Sequence, residues 1–228
     1  MFRLLILPIL ISLFFVSNSN ADFVTVQFND SVAEGGLIDG TSENFVSTLQ
    51  MLGDSTFRFV INVVSDGGIL IDASDELGHV GGGSNNNFDT VGEAVTFTVS
   101  TIDFTAGATG PQSASEINFT ARELNFDSAF AANDSGEITE VNGIAQTGFV
   151  WTEIDGNADF VGHRPATNAV DLFITNGNQN VTSFKHDFVD GSWRIDNLAI
   201  EFSPVPEPGA LGMLVLFGIG MTVRRRRV

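Results

Sequence analysis

Alternation with a period of two runs through the middle of this chain, and no long stretch shows helical periodicity. Phe57, Phe59, Ile61 and Val63 fall on one side of an extended segment, with Arg58, Val60, Asn62 and Val64 on the other. Val95, Phe97 and Val99 alternate with Thr96, Thr98 and Ser100, and Ile117, Phe119 and Ala121 with Asn118, Thr120 and Arg122. Val170, Leu172 and Ile174 alternate with Asp171, Phe173 and Thr175, and Phe184, His186 and Phe188 with Lys185 and Asp187. A strand turns successive side chains to opposite faces, so this pattern predicts half-buried strands. Further strands are expected at 23–28, 68–73, 138–141, 148–154 and 193–202, about ten in all, divided by Gly, Asn and Asp clusters that suit turns. One helix is expected, with Ser42 as its cap and Phe45, Thr48, Leu49 and Leu52 on one face. No helices separate successive strands, which excludes a parallel βαβ sheet. The expected fold is all-β, an antiparallel β-sandwich of jelly-roll type.

Composition agrees. The 228 residues include 21 Phe, no Tyr and 24 Gly, which leans towards β-structure. Absence of cysteine removes disulfides, thiolate chemistry and cysteine zinc sites together. The formal charge is −18, and it is unevenly spread. Between Asp22 and Ser203 the only basic side chains are Arg58, Arg122, Arg164, Lys185 and Arg194, five against 27 acids, a net of −22. A body this anionic repels phosphate backbones, so no nucleic-acid partner is expected. Residues 22–203 suit one domain with a real core.

Both ends read as addresses. Met1-Phe2-Arg3 is a short positive segment, residues 4–16 are an apolar run, and Ser17 to Ala21 form a polar stretch ending in Ser19-x-Ala21. That is the pattern of a secretory signal peptide over residues 1–21, cleaved between Ala21 and Asp22. An uncleaved anchor would need a longer run than these thirteen residues, since a span takes about 20. At the other end Val205-Pro206-Glu207-Pro208 leads into an almost wholly apolar stretch, 209–223, and then Arg224, Arg225, Arg226 and Arg227. A 15-residue helix rises about 22 Å against a bilayer core of about 30 Å. A short transmembrane helix of this kind suits a transient membrane anchor, with the arginines held on the cytoplasmic side.

These parts, in this order, resemble the PEP-CTERM sorting signal of Gram-negative bacteria, over residues 204–228 only. The segment also goes by the name of ice-binding protein C-terminal domain, which says nothing about ice. The resemblance implies processing near Pro206-Glu207-Pro208 by exosortase, a transpeptidase-like membrane enzyme. It further implies an exported protein associated with exopolysaccharide, biofilm or the cell surface. Two internal passages, 78–98 and Trp193-Arg194-Ile195-Asp196-Asn197-Leu198-Ala199-Ile200, are similar to segments of jelly-roll domains of the carbohydrate-binding and lectin-like kind.

Sites inside the body are sparser. Calcium takes six to eight oxygens, and Asn85-Asn86-Asn87-Phe88-Asp89 with Glu93 offers them, so Asn86, Asp89 and Glu93 are candidate Ca2+ ligands. The plainer alternative is a Gly/Asn loop with solvated acids. Asp155-Gly156-Asn157-Ala158-Asp159 starts like an EF-hand but has Phe160 where Gly is required and Ala166 where Glu is. There is no G-x-S-x-G and no H-E-x-x-H, and His79, His163 and His186 lack metal-ligand spacing. Among 27 acids a pair at glycosidase spacing arises by chance. His186, in phase with Phe184 and Phe188, reads as a core or rim histidine. For glycan contact the candidates are Trp151 and Trp193, although both sit in strand-like runs where core packing is the default. Asp171, Asp196 and Asn197 could add hydrogen bonds to a sugar. The sequons at Asn118, Asn133 and Asn180 read as coincidence in a bacterial protein. The expectation is a non-catalytic surface or matrix protein; the alternatives are a glycan-binding module and a glycan-active hydrolase or lyase.

Overall fold

The computed structural model describes residues 21–29, 33, 38–72, 76–80, 87–126, 134–147, 150–154, 157–160, 169–172 and 180–205. Residues 1–20, Asn86, and the tail from Pro206 through Glu207, Pro208 and Arg224, Arg225, Arg226 and Arg227 lie outside that set. Among the described residues no helix is long and apolar enough to cross a membrane. In chain order the strands are β1 (Asp22–Gln27), β2 (Ser42–Val46), β3 (Gln50–Leu52), β4 (Ser55–Asp66), β5 (Ile69–Asp72), β6 (Leu77–Val80) and β7 (Ala94–Thr105). A 3-10 turn at Ala114–Glu116 precedes β8 (Ile117–Phe126). There follow β9 (Ser135–Val141), β10 (Ile144–Ala145), β11 (Val150–Ile154), β12 (Asn157–Phe160), β13 (Ala169–Asp171), β14 (Ser183–Asp190) and β15 (Ile195–Pro204).

They form two antiparallel sheets. One runs β13-β8-β15-β6-β5, with β1 also paired to β15, and the other β12-β11-β9-β14-β7-β4-β2, with β10 on β9 and β3 on β4. The alternation seen in sequence sets which side faces inwards. Phe57, Phe59, Ile61 and Val63 are wholly buried, as are Val95 and Phe97, while Arg58 and Val64 face out. The sheets meet through phenylalanine. Phe57 and Phe59 of one sheet each lie 5.4 Å from Phe202 of the other, and Phe59 lies 5.4 Å from Phe119. Each fully buried Phe contributes roughly 1.5–3 kcal/mol over its exposed state. A phenol in its place would have needed a buried hydrogen-bond partner.

The helix expected after Ser42 does not form. Residues 42–46 are β2, paired to Val60–Val64, and residues 50–52 are β3, paired to Ser55–Phe57. The helical spacing of Phe45, Thr48, Leu49 and Leu52 lost to the open edge of β4, whose backbone groups need a partner. Ser47 shows the mechanism: its N–H donates to the Phe59 carbonyl and its Oγ accepts the Phe59 N–H, both at 2.9 Å, so the chain stays extended beside β4. Five strands fall outside the ten expected: β2, β3, β6, β10 and β12. The β9–β10 hairpin closes over Asn142 and Gly143, with φ +50° and +74°, the two left-handed residues of a tight turn whose twist matches its strands.

Candidate functional site

Trp151 and Trp193 are both interior residues, 0% and 2% exposed, so neither ring offers a face to a sugar. They pack against each other at 5.4 Å and against Phe126, at 4.6 and 5.5 Å. Both indole N–H groups are used inside the protein. Trp193 donates to the Ser135 carbonyl at 3.2 Å, and Trp151 donates to His186 Nε2 at 2.8 Å. That bond makes Nε2 an acceptor, so the ring is neutral with its proton on Nδ1. Nδ1 has no hydrogen-bond partner among the described residues. Burial of the whole ring pushes its pKa down to about 3. Gly136 explains how the pair fits: a Cβ there would stand 2.7 Å from His186 Cε1, His186 Nε2 and Trp151 Nε1. Gly136→Ala is therefore expected to cost about 1–3 kcal/mol by overpacking, read as a lower urea midpoint with unchanged slope.

A second buried group ties the sheets together at one end. Ser65, on β4 and in phase with Val63, lies with its Oγ 2.7 Å from His79 Nε2 on β6. His79 Nδ1 lies 3.0 Å from Glu93 Oε1, close enough for an ion-pair contact but off the line of the ring N–H. Glu93 Oε2 accepts the N–H groups of Asp89 and Thr90 at 2.8 and 3.1 Å. All three side chains are buried. Ser, His and Glu touch in the order a nucleophile relay requires, but Ser65 faces into the sandwich. Inter-sheet bonding is what the contacts accomplish.

Of the three candidate calcium ligands, Asn86 lies outside the described residues. Glu93 has both oxygens turned to protein partners, and Asp89 Oδ1 accepts the Thr90 hydroxyl at 3.0 Å. Among the described residues no group of three or more His, Asp or Glu could hold a metal ion. Neighbouring Asn87 accepts from Arg194 Nε at 2.6 Å and donates to Ser192 Oγ at 2.8 Å. Asn197 is spent locally, accepting from Asn125 and donating to Asp196.

Among the described residues a polar cleft of about 270 Å³ opens on the outer side of β8 and β15. Its lining includes Asn118, Thr120, Arg122, Asn180, Glu201 and Ser203. Arg122 Nε lies 3.7 Å from Glu201 Oε2, and Asn180 donates its amide to Asn118. One wall is pinned. Val181 N–H donates to Thr120 Oγ1 at 2.7 Å, Ala121 N–H donates to the Val181 carbonyl, and Asn142 binds the Asn180 carbonyl and the N–H of Thr182. The alternation puts Asn118, Thr120 and Arg122 on one face of β8, but nothing in it brings Asn180, Glu201 or Ser203 beside them.

Both expected processing points adjoin this end of the molecule. Asp22, the residue after Ala21, pairs with Phe202. β15 continues to Pro204, opposite Ile117, one residue past the boundary drawn at Ser203. Val205 N–H still donates to the Glu116 carbonyl at 2.8 Å, while its side chain is exposed. Compared with protein-family models, curated proteins and solved structures, the chain matches none.

Proposed function

We propose that this chain is an exported, non-catalytic component of a bacterial surface or extracellular matrix, associated with exopolysaccharide and sorted by an exosortase-type enzyme. The observation that carries the reading is the junction at Val205. The last strand runs without a linker into Val205-Pro206-Glu207-Pro208, the apolar stretch and the four arginines. A processing enzyme in the membrane would thus meet the motif one residue after the last strand of a rigid body. The signal peptide delivers the chain, and the apolar stretch holds it in the membrane until cleavage.

The jelly-roll assignment is supported by strand order. β1-β15-β8-β13 in one sheet and β7-β14-β9-β11 in the other reproduce two interlocked Greek keys, with first and last strands as neighbours. On this reading β2 to β6 are an insertion that widens both sheets at one side. The anionic body suits a hydrated matrix, since it resists self-association and gathers divalent cations.

Sorting is tested by deleting Arg224, Arg225, Arg226 and Arg227. The chain should then accumulate uncleaved or leak past the cell surface, read by intact mass of the envelope and culture fractions. Normal cleavage near Pro206 without the arginines overturns the reading.

A further inference from the structure

The cleft on β8 and β15 has a chemistry of its own. Across the sheet, residues directly opposite one another stand side by side on the same face. Phe23 of β1 is opposite Glu201 of β15, and Glu201 is opposite Thr120 of β8. That row places Phe23 next to the cleft, and at 61% exposure its ring is presented to solvent. An aromatic shelf beside a pocket of amides, a hydroxyl and an Arg–Glu pair is the combination that receives a pyranose. The apolar C–H face stacks on the ring, and vicinal hydroxyls find both donors and acceptors.

Charge decides the kind of sugar. Arg122 is held beside Glu201, so the cleft has no net positive charge to offer a carboxylate, and the body around it is strongly anionic. The remaining lining amides and hydroxyls are neutral. An acidic sugar would also bring its charge against Glu201. The volume suits one residue rather than a chain segment lying along the sheet. We propose that this cleft, with Phe23 as its shelf, binds a single neutral sugar residue. The inference rests on the matrix reading for its biological sense, but its geometry stands apart from sorting.

Saturation-transfer NMR on the full chain in a zwitterionic, sugar-free detergent tests it, with the methyl glycosides of glucose, galactose and mannose as probes and glucuronate as the charged comparison. The expected result is transfer to the ring protons of at least one neutral glycoside and none to glucuronate. Phe23→Ala and Asn180→Ala should each abolish the transfer while leaving the melting temperature unchanged, because both side chains are exposed. No transfer to any neutral glycoside, transfer to glucuronate alone, or transfer that survives in both variants overturns the proposal. Pelleting with the source bacterium's exopolysaccharide separates the two readings. Wild type and both variants pelleting alike would sink the cleft and leave the matrix role. Glycoside binding without pelleting would sink the matrix role and leave the cleft.

Discussion

Replacing Trp151 with alanine is expected to cost about 3–5 kcal/mol, the usual penalty for emptying a large buried aromatic site. Domains of this kind are stable by only about 5–15 kcal/mol, so much of the protein should be unfolded at modest denaturant. The loss has two parts. The ring is wholly buried against Phe126, Trp193 and His186, which cannot collapse far because the β8–β15 ladder, the Phe88 bridge and the β9–β14 ladder respectively fix their backbones. Its N–H is also the partner of His186 Nε2, and a buried acceptor left unmet costs about 1–3 kcal/mol by itself. Trp151→Phe separates the parts: it keeps most of the ring and strands the histidine, so its cost should fall near that second figure. Guanidinium denaturation followed by circular dichroism reads both. An alanine variant whose midpoint matches wild type would mean that Trp151 is not packed as described, and would restore it as a candidate for surface contact.

Which parts of this architecture could be read from the chain follows from the range of each interaction. Strand identity and facing at β4, β7, β8 and β14 were legible because alternation is a local signal, and burial of Phe57, Val95 and Phe184 follows from it. Residues 42–52 read as a helix because their spacing satisfies one as well as it does a strand. What decides between the two is an unpaired edge on β4, a partner supplied from elsewhere in the chain. Strand β6 was hidden inside a Gly-rich stretch whose one bulky polar residue, His79, acquires meaning only beside Ser65 and Glu93. Glu93 was singled out for its oxygens, but sequence could not show that backbone N–H groups and a histidine already use them. The cleft was the least legible feature. Its residues come from β8, β15 and the segment at Asn180, and its shelf, Phe23, looks in sequence like any other inward phenylalanine. Only the pairing of β1 with β15 reveals that Val24 and Val26 took the inside and Phe23 the outside.

Mild acid should destabilise the protein through His186. In the unfolded chain a histidine titrates near 6.5, whereas burial holds His186 at about 3 in the folded state. Between those values the unfolded chain binds a proton that the folded protein refuses, so stability rises with pH across the window and falls as the solution is acidified. The difference amounts to about 2 kcal/mol by pH 5 and roughly 5 kcal/mol once pH is below 3. Asp54 acts in the same direction but later. Its carboxylate accepts the Thr109 and Ala108 N–H groups and the Thr109 hydroxyl, and the Thr109 N–H above all holds its pKa below the usual 3.8. The stability it adds is complete above that value and is lost only as pH drops through the folded one. Denaturation at pH 7 and pH 5 therefore isolates the histidine, provided the protein is compared with His186→Gln. Glutamine can still accept the Trp151 N–H and does not titrate. Wild type should lose about 2 kcal/mol more than the variant over that interval; parallel losses in the two proteins would show that His186 is open to water or finds an acid partner in the fold.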